Sequence, residues 1–168
     1  MNFLEKLEKL NLELPSPTAP GGNYDSITIR NDIAYIAIQF PILNNQPLYQ
    51  GKLGGDLSTR DGYKALGICA LNVLSHLSTI SSMDQLVGLN HVEIYYQATE
   101  TWDEGGRLAD GASDLFVQVL AEKGRHSRAI FGVERLPKNF SVGLTATCTL
   151  ASTSFRPGCV KPHRRGLS

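Results

Sequence analysis

An arginine at the start of a strand can offer its planar guanidinium as a fork to a carboxylate, and Arg128 stands in such a place. The stretch 124–148, GRHSRAIFGVERLPKNFSVGLTATC, reads as two strands joined across Leu136-Pro137-Lys138-Asn139, because Pro and Asn interrupt two runs of β-favouring residues. With a period of two, Arg128, Ile130, Gly132 and Glu134 share one face, and Ala129, Phe131, Val133 and Arg135 share the other. A lone arginine of this kind is more often a surface charge than a ligand clamp, so its neighbours must decide. His91 and Glu93 are a second candidate pair, about 6.5–7 Å apart on one strand face. They suit acid–base chemistry, although a cross-strand or interface hydrogen bond is the commoner use of such a pair. His76 lies beside the apolar stripe of a long helix with no acid or nucleophile next to it, and reads as a surface or boundary histidine.

The elements that position these residues follow from periodicity and punctuation. Phe3, Leu7 and Leu10 mark a short amphipathic helix over residues 2–10, and the Pro- and Gly-rich segment 15–24 is neither helix nor strand. Residues 26–30 and 33–40 form a hairpin about Asn31-Asp32, and 41–57 read as loop. Ser58 and Asp61 form a capping-box variant ahead of the strongest helix, 59–80, whose stripe is Leu66, Cys69, Ala70, Val73, Leu74 and Leu77. A long strand spans 85–96 with Val87, Leu89, His91, Glu93 and Tyr95 on one side. A second helix spans roughly 110–123 and stops at Gly124. Each half thus carries strand, helix and strand, which implies two βαβ-like units under one mixed sheet.

Composition bounds the function. The 168 residues, 42% hydrophobic, suffice for one compact domain over 1–150. Residues 151–168, with Arg156, Lys161, Arg164 and Arg165 and no periodicity, are expected to be a disordered basic tail. Sixteen basic and sixteen acidic residues cancel, which removes the electrostatic footprint that nucleic acid requires. Cys69, Cys148 and Cys159 lack metal-ligand spacing and read as free thiols. Neither a metal nor a cofactor is expected. Met1 leads into mixed charges without a signal-peptide apolar stretch, and no run reaches the roughly 20 apolar residues of a membrane span. A soluble, cytoplasmic protein without a membrane partner is the expectation.

The run Arg128-Ala129-Ile130-Phe131-Gly132-Val133-Glu134-Arg135-Leu136-Pro137 resembles the C-terminal signature of the Rid family, the RidA/YjgF reactive-intermediate deaminases, in its longer subfamily. Pro20-Gly21-Gly22-Asn23-Tyr24, the block from Tyr49 to Ser58, Gly62-Tyr63-Lys64-Ala65 and Gly111-Ala112-Ser113-Asp114-Leu115 agree with it in order, over roughly residues 10–150. The resemblance implies a chorismate-mutase-like α/β (α+β) fold, with two long helices on one face of a mixed sheet, assembled as a homotrimer with ligand clefts between subunits. It implies that Arg128 grips the carboxylate of a 2-imino acid or enamine, which water converts to a 2-keto acid and ammonia. It places Tyr24, Gln39, Ile38, Ser113 and Gly143 with Arg128 at that ligand.

Two departures bear on turnover. Counting from Arg128 through Leu136-Pro137, the glutamate that family enzymes carry on the last strand falls on Gly143, and the family's Ser-Gly-Gln becomes Ala37-Ile38-Gln39, with Ile38 narrowing the cleft. General acid–base help is worth about 10²–10⁴-fold, and returning the acid with Gly143→Glu is expected to raise imine hydrolysis at least roughly tenfold. Glu134 is about 20 Å from Arg128 along a strand. Glu93 and Asp110 remain as substitutes through the trimer. Three readings follow: an imine or enamine hydrolase, a trimeric ligand-binding or sensing module without efficient chemistry, and a ribonuclease or translation inhibitor, against which the neutral charge counts.

Overall fold

A computed structural model describes residues 3–80 and 83–152. The tail expected to be disordered lies outside the described residues from 153 onward, as does Cys159. Helix α1 spans Phe3–Lys9 and is anchored by the buried Leu7. Strands β1 (Ile27–Arg30) and β2 (Ile33–Gln39) form the expected antiparallel hairpin, turning through Asn31 at φ 54°. The next segment, read as loop, contains a small hairpin of β3 (Ile42–Leu43) and β4 (Gln46–Pro47). Its turn is Asn44-Asn45, both with positive φ, a conformation that asparagine tolerates better than most residues.

Helix α2 spans Thr59–Ile80. Its capping box is reciprocal: the Ser58 amide donates to Asp61 Oδ2 at 2.9 Å, and the Asp61 amide donates to Ser58 Oγ at 3.1 Å. The whole predicted stripe, from Leu66 to Leu77, is buried. Strand β5 spans Leu86–Tyr96, but irregularities between Leu86 and Gly88 and between Leu89 and His91 break its alternation. Leu89 therefore turns into the core while His91, Glu93 and Tyr95 face away from it, and the five residues do not share one side.

Helix α3 spans Gly105–Leu120, beginning five residues earlier and ending three earlier than expected. Strands β6 (Ser127–Gly132) and β7 (Val142–Leu150) complete a five-stranded sheet of order β1-β2-β7-β5-β6. The chain joins β6 to β7 across Leu136-Pro137 as expected, yet β5 lies between them, parallel to β6 and antiparallel to β7. Because β7 is antiparallel to both β2 and β5, those two run parallel. β2-α2-β5 and β5-α3-β6 are then the two βαβ-like units.

Both long helices pack on one face of this mixed sheet, against Ala34, Ile36, Val92, Ile94, Leu144, Ala146 and Cys148. The opposite face carries Tyr35, 48% exposed, and Phe131, 44% exposed, with His91, Glu93, Tyr95, Thr145 and Thr147 between them. The helices meet at Gly111, where a Cβ would collide with the Tyr63 backbone.

Candidate functional site

Arg128 sits on the edge strand β6 opposite Val92, a core residue, so its side chain emerges on the helix face of the sheet and meets α3. Gly106, Asp110 and Ser113 follow one another at i, i+4 and i+7 and so line one stripe of that helix. Arg128 Nη1 donates to Asp110 Oδ1 at 2.8 Å and to Ser113 Oγ at 3.0 Å, and Nη2 makes a longer contact, 3.4 Å, to the Gly106 carbonyl. A guanidinium has five N–H donors. The two left without a partner among the described residues are Nε–H and one Nη2–H, the parallel pair that matches both oxygens of a carboxylate.

His126 extends this shell. Its Nδ1 is 2.7 Å from the Gly124 carbonyl and therefore carries the proton, which leaves Nε2 to accept from Ser113 Oγ at 3.1 Å. Ser113 thus accepts from Arg128 and donates to His126. Burial, opposed by the Gly124 hydrogen bond and assisted by the Arg128 charge, holds the His126 pKa below the ordinary range, so the ring stays neutral in this chain of donors.

The other residues assigned by resemblance lie elsewhere. Gln39, at the end of β2, is buried. Its Nε2 donates to the Ala37 carbonyl at 3.0 Å, and its Oε1 accepts from Thr18 Oγ1 at 2.9 Å. Thr18 Oγ1 is also 3.2 Å from His76 Nε2, so the segment 15–24 is pinned onto α2 and β2. His76 is accordingly buried, 4% exposed, and not a surface or boundary residue; burial lowers its pKa. Tyr24 ends that segment half exposed, its hydroxyl accepting from the Gly21 amide at 3.0 Å.

Gly143 is walled in by apolar atoms. A Cβ there would lie 2.8 Å from Ile38 Cδ1 and 3.0 Å from Phe40 Cε1, and Phe40 stacks on Phe140 with ring centroids 4.8 Å apart.

Within one chain these two groups are separate. Arg128, Val92, Ala146 and Ile36 form one row across the sheet, so Arg128 is three strand spacings, about 14 Å, from β2. Gly143 pairs with Tyr95, three residues farther along, and is on the face away from the helices. Arg128 and Ser113 come together. Tyr24, Gln39, Ile38 and Gly143 belong to the other half of the sheet.

The remaining candidates have local partners. His91 Nδ1 is 2.8 Å from Ser127 Oγ, and Glu93 Oε2 accepts from Tyr95 at 2.8 Å and from Thr145 at 3.1 Å. His91 and Glu93 are not bonded to each other. A cleft of about 340 Å³ lies between the helices, bordered by Thr59, Arg60, Tyr63, Arg107, Asp110 and Asp114. Among the described residues, no group of three or more His, Cys, Asp or Glu side chains could hold a metal, and no helix is long and apolar enough to cross a membrane.

The turn that follows β6 is fixed by Gln97, a buried side chain. Its Oε1 accepts from the Leu136 amide at 2.7 Å, and its Nε2 donates to Asn139 Oδ1 at 2.7 Å and to the Gly51 carbonyl at 3.1 Å. Sequence reasoning missed Gln97, Gly106 and His126. The i, i+4, i+7 stripe on α3 carried the signal for Gly106, but only once the helix is known to begin at Gly105.

The family described as "YjgF/chorismate_mutase-like, putative endoribonuclease" matches residues 5–148. Protein TCP17 of Trypanosoma cruzi is 30% identical over 146 residues, which cover 86% of this chain and 91% of that protein. A crystal structure described as a putative endoribonuclease of Shewanella oneidensis superposes with a TM-score of 0.87 at 30% identity, over 89% of this chain and all of that one. Protein Atu1372 of Agrobacterium tumefaciens, of unknown function, gives 0.82 at 26% identity, over 88% and 92%.

Proposed function

The chain belongs to the YjgF/chorismate-mutase-like family, and from that premise we propose that it binds small 2-oxo or 2-imino carboxylates through Arg128, as a homotrimer with the ligand lodged between subunits. One observation carries the reading: three donors of Arg128 are held by α3, and the two that remain are a ready carboxylate fork. The Arg128 side chain is 29% exposed, and this partial shielding strengthens the contact relative to open water.

The wall of Ile38, Phe40 and Gly143 supports binding over turnover. No carboxylate stands at 143 to position water, and the space beside it is filled by hydrocarbon. Sharing the site between chains accounts for the separation of Arg128 from Tyr24, Gln39 and Ile38, and the aromatic, helix-free face of the sheet is the surface for assembly. Sedimentation at three times the chain mass is expected; a monomer would leave the two groups apart.

Hydrolysis of the imine to keto acid and ammonia in the cytoplasm is the second reading, and the Asp110 carboxylate beside the clamp is what favours it. Ribonuclease activity, the description given to relatives, has less support. The net charge is zero, and the three described histidines each pair with a separate hydroxyl, not with one another.

The test is calorimetry with pyruvate alongside ammonia release from 2-iminopropanoate, for wild type and Arg128→Ala. Pyruvate binding that vanishes in Arg128→Ala, with little acceleration of ammonia release, is expected. Equal binding by both proteins would sink the clamp.

A further inference from the structure

The ion pair between Arg128 and Asp110 brings a negative charge to the edge of the clamp before any ligand arrives. Its partners nearby are also balanced: Arg128, Arg107 and Arg60 stand against Asp110, Asp114 and Glu104, with Glu104 paired to Arg107 at 2.6 Å and Asp114 accepting from Tyr63 at 2.7 Å. A ligand carboxylate on the open edge of Arg128 therefore adds one net negative charge, and a dicarboxylate adds two. The cleft that offers Arg60 and Arg107 to a second carboxylate offers Asp110 and Asp114 as well.

We infer that Asp110 is a specificity-determining residue, which orients the Arg128 fork and, by its charge, confines the site to monocarboxylates over dicarboxylates of the same length. This rests on the clamp reading above. Asp110 does two separable things. Its Oδ1 and Ser113 Oγ occupy Nη1 while the Gly106 carbonyl accepts from Nη2, which turns the other edge outward, and its charge repels a second anionic group. Asparagine keeps the acceptor and removes the charge. The Asp110 side chain is half exposed, so the exchange leaves packing intact.

The experiment is calorimetry at low ionic strength with 2-oxopentanoate and 2-oxoglutarate, which share a five-carbon chain and differ by one carboxylate. Wild type, Asp110→Asn and Arg128→Ala are compared. Both ligands should bind Asp110→Asn more tightly, and the wild-type preference for 2-oxopentanoate should fall about fivefold, the effect of one like charge roughly 8 Å away at a surface. A preference unchanged in Asp110→Asn, with binding still lost in Arg128→Ala, overturns the role of Asp110 and leaves the clamp standing. Absence of any Arg128-dependent binding overturns both.

Discussion

Position 143 gives the sharpest test of how the site is built. The family resemblance puts a glutamate there, and by sequence alone Gly143→Glu should return an acid and a rate. The structure alters that expectation. A Cβ alone would come within 2.8 Å of Ile38 Cδ1 and 3.0 Å of Phe40 Cε1, and the Phe40 ring is itself stacked on Phe140. Ile38 can swing its terminal methyl aside, but the stacked ring cannot move without unstacking. The remaining four heavy atoms of the side chain must then pass between these apolar groups. Overpacking of this kind costs about 1–3 kcal/mol, and an unpaired polar group adds about 1–3 more. The single variant should therefore melt about 4–24 °C below wild type and show no gain in ammonia release from 2-iminopropanoate. Ile38→Ala with Gly143→Glu removes both contacting Ile38 atoms. It should recover about half of the lost stability and, only then, raise the rate at least roughly tenfold. The assay is a thermal melt followed by coupled ammonia release on the same samples. A single Gly143→Glu variant that is as stable as wild type and faster would refute the apolar-wall argument.

Two further outcomes follow from packing and protonation. Gly111→Ala would drive a methyl into the Tyr63 backbone where α2 and α3 touch; a loss of about 2–3 kcal/mol in denaturant unfolding is expected, against a gain of up to about 1 kcal/mol for Gly106→Ala, an exposed helical position beside which nothing lies within 4 Å. His76 and His126 both have folded-state pKa values lowered chiefly by burial. The unfolded chain then binds more protons just below the ordinary histidine pKa, so stability should be full above about pH 6.5 and fall as the pH drops through the window beneath it. His76→Gln should flatten that slope in melts between pH 7.5 and 5; an identical slope would remove His76 as a contributor.

Where local signals agree, the sequence is easy to read. The α2 stripe and its Ser58–Asp61 box are local, and both elements follow the expected bounds. Helix α3 hides its first turn because Gly105 and Gly106 are poor helix formers; Glu104, bonded to Thr59 and paired with Arg107, lies at that end and tertiary contacts fix it. The β3–β4 turn escapes notice because Asn44-Asn45 lacks the glycine that usually marks such a loop. In β5, two bulges reverse the phase between Val87 and His91, and no periodicity analysis detects an inserted residue. The burial of His76 depends on Thr18 and Gln39, residues 58 and 37 positions away in the chain, which no local pattern links to it. Arg128 was legible through its motif, whereas the donors it keeps in reserve were not, because they depend on which α3 residues face β6.

The separation of Arg128 from the apolar wall is a consequence of topology, and it bears on what assembly is for. The β5-α3-β6 crossover delivers Arg128 to the helix face at one edge of the sheet. The β2-α2-β5 crossover leaves Gln39 and Ile38 beside Gly143, in the other half. Inserting β7 between β2 and β5 widens that gap by one strand spacing, about 4.8 Å, and no side-chain movement spans three strands and two faces of a packed sheet. A ligand small enough to be held by one guanidinium fork cannot touch both groups of the same chain. If both act on one ligand, they come from different copies, and the clamp edge of one chain must meet the wall of the next in a head-to-tail contact. Such a contact uses two different patches, and any closed assembly that sets the clamp of each copy against the wall of another leaves none unpaired, a condition that the proposed trimer meets.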